Sequence, residues 1–153
     1  MCHNDLSPKN TVYRGGLPVA FIDWDIAAPG RRVHDVAHVC WQFVPLGPAV
    51  EVSVAARRVR VVLDAYEECL SPVGSAGEPG GSAAQASVGG QVWEAAGVLD
   101  VVLWWQDRCW RGIESAARTG DAAMVRLRDA GVAGAVRAAY AWTLEHRDEL
   151  ARV

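Results

Sequence analysis

His3-Asn4-Asp5-Leu6-Ser7-Pro8-Lys9-Asn10, followed by Phe21-Ile22-Asp23-Trp24-Asp25, is the stretch that decides how this sequence is read. Asn10 follows Asp5 by five residues, and Asp23 closes the next apolar run. Taken singly, Asp, Asn, Ser and Pro are turn residues. Joined to a strand that ends in Asp, they suit a phosphoryl transfer. That reaction asks little covalent chemistry of a protein. It needs a carboxylate near the proton of the acceptor hydroxyl, and phosphates held in line by a metal. Asp5 fits the carboxylate role. Asn10 and Asp23 fit the metal role, because magnesium takes a few oxygen ligands and keeps several waters.

Around this stretch the pattern is a small β-hairpin followed by helices. Thr11 to Arg14 and Pro18 to Ile22 are β-prone, and Gly15-Gly16 between them signals a tight turn. From Val33 the period becomes helical, with Val33, Val36, Ala37, Cys40, Trp41 and Val44 in phase until Pro45. A second helix is expected over 50–70, with Val52, Ala55, Val59, Val62, Tyr66 and Leu70 on its apolar face. Residues 71–90, rich in Gly, Ser, Ala and Pro, read as a flexible loop. Further helices are expected over 91–119, 121–130 and 132–150, punctuated by Gly120 and Gly131. The fold class is α+β and mostly helical, one hairpin with four to five helices.

The 153 residues suffice for one domain with a core, and 51% hydrophobic with 22% charged is a globular composition. A net charge of −3 argues against a sequence-independent grip on nucleic acid. No apolar run reaches the ~18–20 residues of a membrane span, and no secretory leader is visible. Cys2, Cys40, Cys69 and Cys109 are widely spaced, which suggests neither a zinc ribbon nor a disulfide framework. A reducing cytoplasm is the simplest setting. The seven Trp read as core packing.

Kinase catalytic loops carry H-R-D-x-x-x-x-N followed by D-F-G. His3, Asp5, Asn10 and Asp23-Trp24-Asp25 follow that order with the same Asp-to-Asn spacing. With Phe21-Ile22-Asp23-Trp24-Asp25-Ile26-Ala27, Gly30 and Asp35-Val36-Ala37, the chain resembles the aminoglycoside phosphotransferase family, kinase-like enzymes that include choline and homoserine kinases. The sharp match covers residues 2 to 40. The resemblance implies a protein-kinase-like C-terminal lobe divided into a catalytic loop and metal hairpin (1–32), helices (33–70), the flexible loop (71–90) and a helical subdomain (91–153). It implies ATP and Mg2+ as cofactors and a small-molecule hydroxyl as substrate. Asp5 would be the catalytic base, with His3 orienting its loop, Asn10 and Asp23 the metal ligands, and Asp35 the support of the loop. Arg32 stands where the family usually has Pro, which implies only a different start to the helix. The family's front lobe, with its phosphate-covering loop and lysine, has no counterpart in the sequence, so the truncated chain is expected to be inactive or nearly so.

Helical phase alone puts Asp35 opposite the apolar stripe, in solvent, whereas the resemblance puts it against the loop; the resemblance is preferred. His34 and His38 share the four-residue spacing of H-E-x-x-H zinc sites, but the middle acid is Asp and no third ligand is evident. Glu67, Asp100 and Asp107 on the back helices are candidate contacts for a cationic substrate, though helix surfaces carry such charges anyway. The alternative to an enzyme is a folded but non-catalytic lobe acting as a partner-binding module. Its exposed apolar surface would meet a separate N-lobe or a second copy.

Overall fold

Two left-handed glycines shape the front of the molecule. In the computed structural model, which describes residues 1–70 and 94–152, Gly15 and Gly16 carry φ of 58° and 80°. A two-residue type I′ turn needs positive φ at both central positions. It joins strand β1 (Thr11–Arg14) to strand β2 (Leu17–Phe21) in an antiparallel pair. Thr11 faces Phe21 and Val12 faces Ala20, then the register slips so that Tyr13 faces Pro18. An irregularity of this kind tolerates a strand proline, which has no N–H to offer the ladder. Thr11 is the one buried residue of the two strands.

Behind the hairpin lie α1 (Val33–Gln42), α2 (Val52–Leu70), α3 (Ala95–Arg118), α4 (Ala122–Asp129), α5 (Val132–Glu145) and α6 (Arg147–Leu150). The long α3 is the spine and packs against α5, α4 and α1. Val36, Ala37 and Cys40 of α1, Ala55, Val59 and Leu63 of α2, and Val98, Leu99 and Val102 of α3 form the core with Trp142 and Leu150. Asp121 caps α4 by accepting from the N–H groups of Ala123 and Met124 at 2.9 and 3.1 Å. Gly120 and Gly131 take φ of 91° and 79°, the left-handed geometry that ends one helix before the next.

The molecule is thus mostly helical with one antiparallel hairpin, an α+β fold. Three expectations are corrected. Six α-helices are present among the described residues, because the segment expected over 132–150 breaks at His146 (φ −101°, ψ 11°). Past the break, Arg147 clasps Asp100 on α3 through both carboxylate oxygens, at 2.6 and 2.8 Å. On α2, Leu63 rather than Leu70 completes the buried stripe, and Leu70 is exposed at the helix end. Trp24 and Trp104 are about half exposed rather than core. The loop expected over 71–90 and the helix start at 91–93 lie outside the described residues. No described helix is long and apolar enough to cross a membrane.

Candidate active site

The loop before β1 is held by hydrogen bonds rather than by apolar packing. Cys2 pairs with Ala28 through both backbone bonds, at 2.8 and 3.0 Å, which closes the segment into a ring. Gly30 sits tightly on this closure, since a Cβ there would meet Cys2 Sγ at 3.2 Å. Asn4 has φ of 63°, a left-handed conformation that Asn tolerates, and its side-chain amide donates to the Ile26 carbonyl at 3.1 Å. The Asp35 carboxylate, in the first turn of α1, accepts from the N–H of His3 at 2.9 Å and of Asn4 at 2.8 Å. Asp35 is half-buried against the loop, not in solvent as its helical phase alone suggested. Its short side chain reaches back over the helix start, a direction that periodicity does not encode.

His3 is buried and joins the loop to the hairpin. The Asp5 N–H, an obligate donor, points at His3 Nδ1 (3.3 Å). The Ile22 carbonyl, an obligate acceptor, lies 3.0 Å from His3 Nε2. Both partners are satisfied by one tautomer, with the proton on Nε2. Trp24 covers the same ring at a centroid distance of 4.5 Å.

Asn10 is buried, and its amide nitrogen donates to the Asp5 carbonyl at 3.0 Å and to Asp5 Oδ2 at 2.8 Å. Two acceptors on one side fix which amide atom is nitrogen. Asn10 Oδ1 therefore keeps its lone pairs. The Lys9 ammonium lies 3.7 Å from the same Asp5 oxygen. The amide N–H and the ammonium thus both fall on Oδ2, and no described residue donates to Oδ1. Asn10 O accepts from Ile22 N at 3.0 Å, so the residue after Ile22, Asp23, lies at the Asn10 end of the hairpin. Asp23 is exposed with φ of 64°, and strained non-glycine backbone of this kind clusters at functional sites. A carboxylate and an amide oxygen, both hard donors, fit magnesium with its remaining positions left to water and phosphate.

The other named residues lie elsewhere. Asp100 is committed to Arg147, which holds its carboxyl below the usual range. Asp107 pairs with Arg111 at 2.7 Å and lines a shallow cleft with Trp104 and Arg108. Glu67 is half-buried on α2, in the field of Arg60. His34 and His38 both stack edge-on against Trp105, at centroid distances of 5.8 and 4.5 Å. Burial pushes the His38 imidazole down to about 4, against the opposite pull of Asp5 and Asp35. Among the described residues no group of three His, Cys, Asp or Glu side chains is placed to hold a metal. Sequence reading passed over Lys9, whose signal was its spacing of four from Asp5, and over Asn4, whose signal was the left-handed tolerance of asparagine.

The model of the phosphotransferase enzyme family matches residues 1–69, from the loop through all but the last residue of α2. Trifolitoxin immunity protein of Rhizobium leguminosarum bv. trifolii is 39% identical over 75 residues, covering 42% of this chain. The match spans 28% of that relative's length. No solved structure matches. Residues 1–69 are thus similar to the phosphotransferase enzyme family, and the chain spans less than a third of the length of the relative it matches.

Proposed function

We propose that the chain carries the acid-and-metal half of a kinase-like small-molecule phosphotransferase, which moves a phosphoryl group from ATP to an alcohol. The observation that carries the reading is the Asp5–Asn10 pair, with one carboxylate oxygen tied at 2.8 Å and the other left free. Asp5 Oδ1 orients the acceptor hydroxyl and takes its proton as the new O–P bond forms and the bond to the nucleotide breaks. His3 and Asn10 fix the angle of that carboxylate. Asn10 Oδ1 and Asp23 would hold magnesium, which when bound would supply positive charge for the phosphate oxygens. Asp35 keeps the loop backbone in place through its two N–H contacts. The helical body behind then corresponds to a kinase-like C-terminal lobe. Asp100 and Asp107, two of the candidate contacts for a cationic alcohol, are both spent on arginines.

The test is transfer from ATP to a panel of choline, homoserine, sugars and aminoglycosides, by the chain alone, where turnover is expected to be slight, and with a phosphotransferase front lobe supplied in trans. Loss of a general base typically lowers rate about 10²–10⁴-fold, which is the drop expected for Asp5→Ala. Turnover that survives Asp5→Ala at the unaltered rate contradicts the reading.

A second reading is favoured by the hairpin itself. Val12, Tyr13, Leu17, Val19, Phe21, Ile22, Trp24 and Ile26 are each 40% exposed or more. An apolar patch of that size on a lone two-stranded sheet suits a partner-binding module. Its occupant would be a front lobe or a second copy. Sedimentation of the chain alone separates a self-associating surface from one that waits for another protein.

A further inference from the structure

Lys9 is the one lysine in a sequence with fifteen Lys and Arg residues, and it stands beside Asp5. We propose that Lys9 binds the phosphoryl group being transferred, an inference that rests on the phosphotransferase reading above. Its ammonium is 3.7 Å from Asp5 Oδ2, with the Lys9 side chain 73% exposed. None of its three donors makes a hydrogen bond among the described residues. An ion pair this exposed contributes little to stability. The backbone beneath it is fixed, because Lys9 lies in a short 3₁₀ turn between Pro8 and the buried Asn10. The Asn10 N–H donates to Ser7 O at 3.1 Å, and Thr11 Oγ1 to the same carbonyl at 2.8 Å. The result is a fixed backbone that carries an exposed charged tip.

The chemistry favours a lysine at that point. Charge in the loose transition state spreads over the three equatorial phosphoryl oxygens. A compact ammonium with rotatable donors follows oxygens that move, whereas the guanidinium fork demands a fixed plane. Lys9 also sits on the oxygen of Asp5 that Asn10 already holds, so it leaves Oδ1 open to the acceptor hydroxyl.

A γ-phosphoryl contact predicts discrimination between ATP and ADP, which a merely structural lysine would not give. The full chain is titrated with magnesium-ATP and with magnesium-ADP by calorimetry, for the unaltered protein, Lys9→Gln, Lys9→Arg and Asp23→Ala. Lys9→Gln is expected to weaken ATP about 10- to 100-fold, the value of one charged hydrogen bond, and to leave ADP within about twofold. Lys9→Arg is expected to recover part of the loss. Equal weakening of both nucleotides by Lys9→Gln, or no weakening, overturns the inference. If Asp23→Ala then still removes the magnesium dependence, the phosphotransferase reading stands without it. Binding of neither nucleotide by the unaltered chain at millimolar concentration overturns both.

Discussion

The front of this molecule and its helical body are held by different forces. Residues 2–35 are closed by polar bonds between distant positions: Cys2 to Ala28, His3 to Ile22, and His3 and Asn4 to Asp35. The body is held by burial, with Leu99 and Val102 fully enclosed in α3. Hydrogen bonds are directional and burial is not. The polar region therefore fixes where Asp5 and Asn10 point, and the apolar region fixes whether the chain folds. Site geometry and global stability should be separable by mutation.

The largest effect belongs to the body. Leu99→Ala empties a fully enclosed position in the core and is expected to cost about 2–5 kcal/mol in denaturant unfolding. A cost near zero would mean that α3 is not the spine. The junction between the regions comes next, where His38 is buried against Trp105. Its imidazole titrates near 4 folded and near 6.5 unfolded, so the unfolded chain binds the proton first. Stability from this residue is complete above pH 6.5 and falls as pH falls towards 4, by up to about 3 kcal/mol. Unfolding of the protein and of His38→Gln across that window checks it; parallel curves would contradict it. The smallest effect belongs to the loop. Asp35→Ala strands two backbone N–H groups and is expected to cost about 1–3 kcal/mol. Hydrogen exchange at His3 and Asn4 should accelerate while α3 stays protected. Slow exchange at both would break the contrast.

Legibility in the sequence follows the same division. The hairpin was readable because Gly15-Gly16 suits one turn, and the α3–α4–α5 breaks because Gly120 and Gly131 take positive φ. The first helix was readable because Val33, Val36, Ala37 and Cys40 are all buried in phase. The break at His146 was not readable, since no breaker residue marks it; it accompanies the long-range clasp of Arg147 on Asp100. Leu63 is buried on α2, and α6 packs against that helix, a partner that periodicity cannot supply. At the candidate site, residue spacing suggested which side chains to examine. The split of Asp5 into one tied oxygen and one free one, and the place of Lys9 beside it, needed coordinates.

The most direct test of the central claim is a heteronuclear NMR titration of the labelled chain with magnesium-ATP. The account predicts shifts at the Asn10 side-chain amide and at the backbone of Asp5, Lys9 and Asp23, all lost in Asp23→Ala. Shifts confined instead to the cleft of Trp110, Arg118 and Arg137 between α3 and α5 would contradict it.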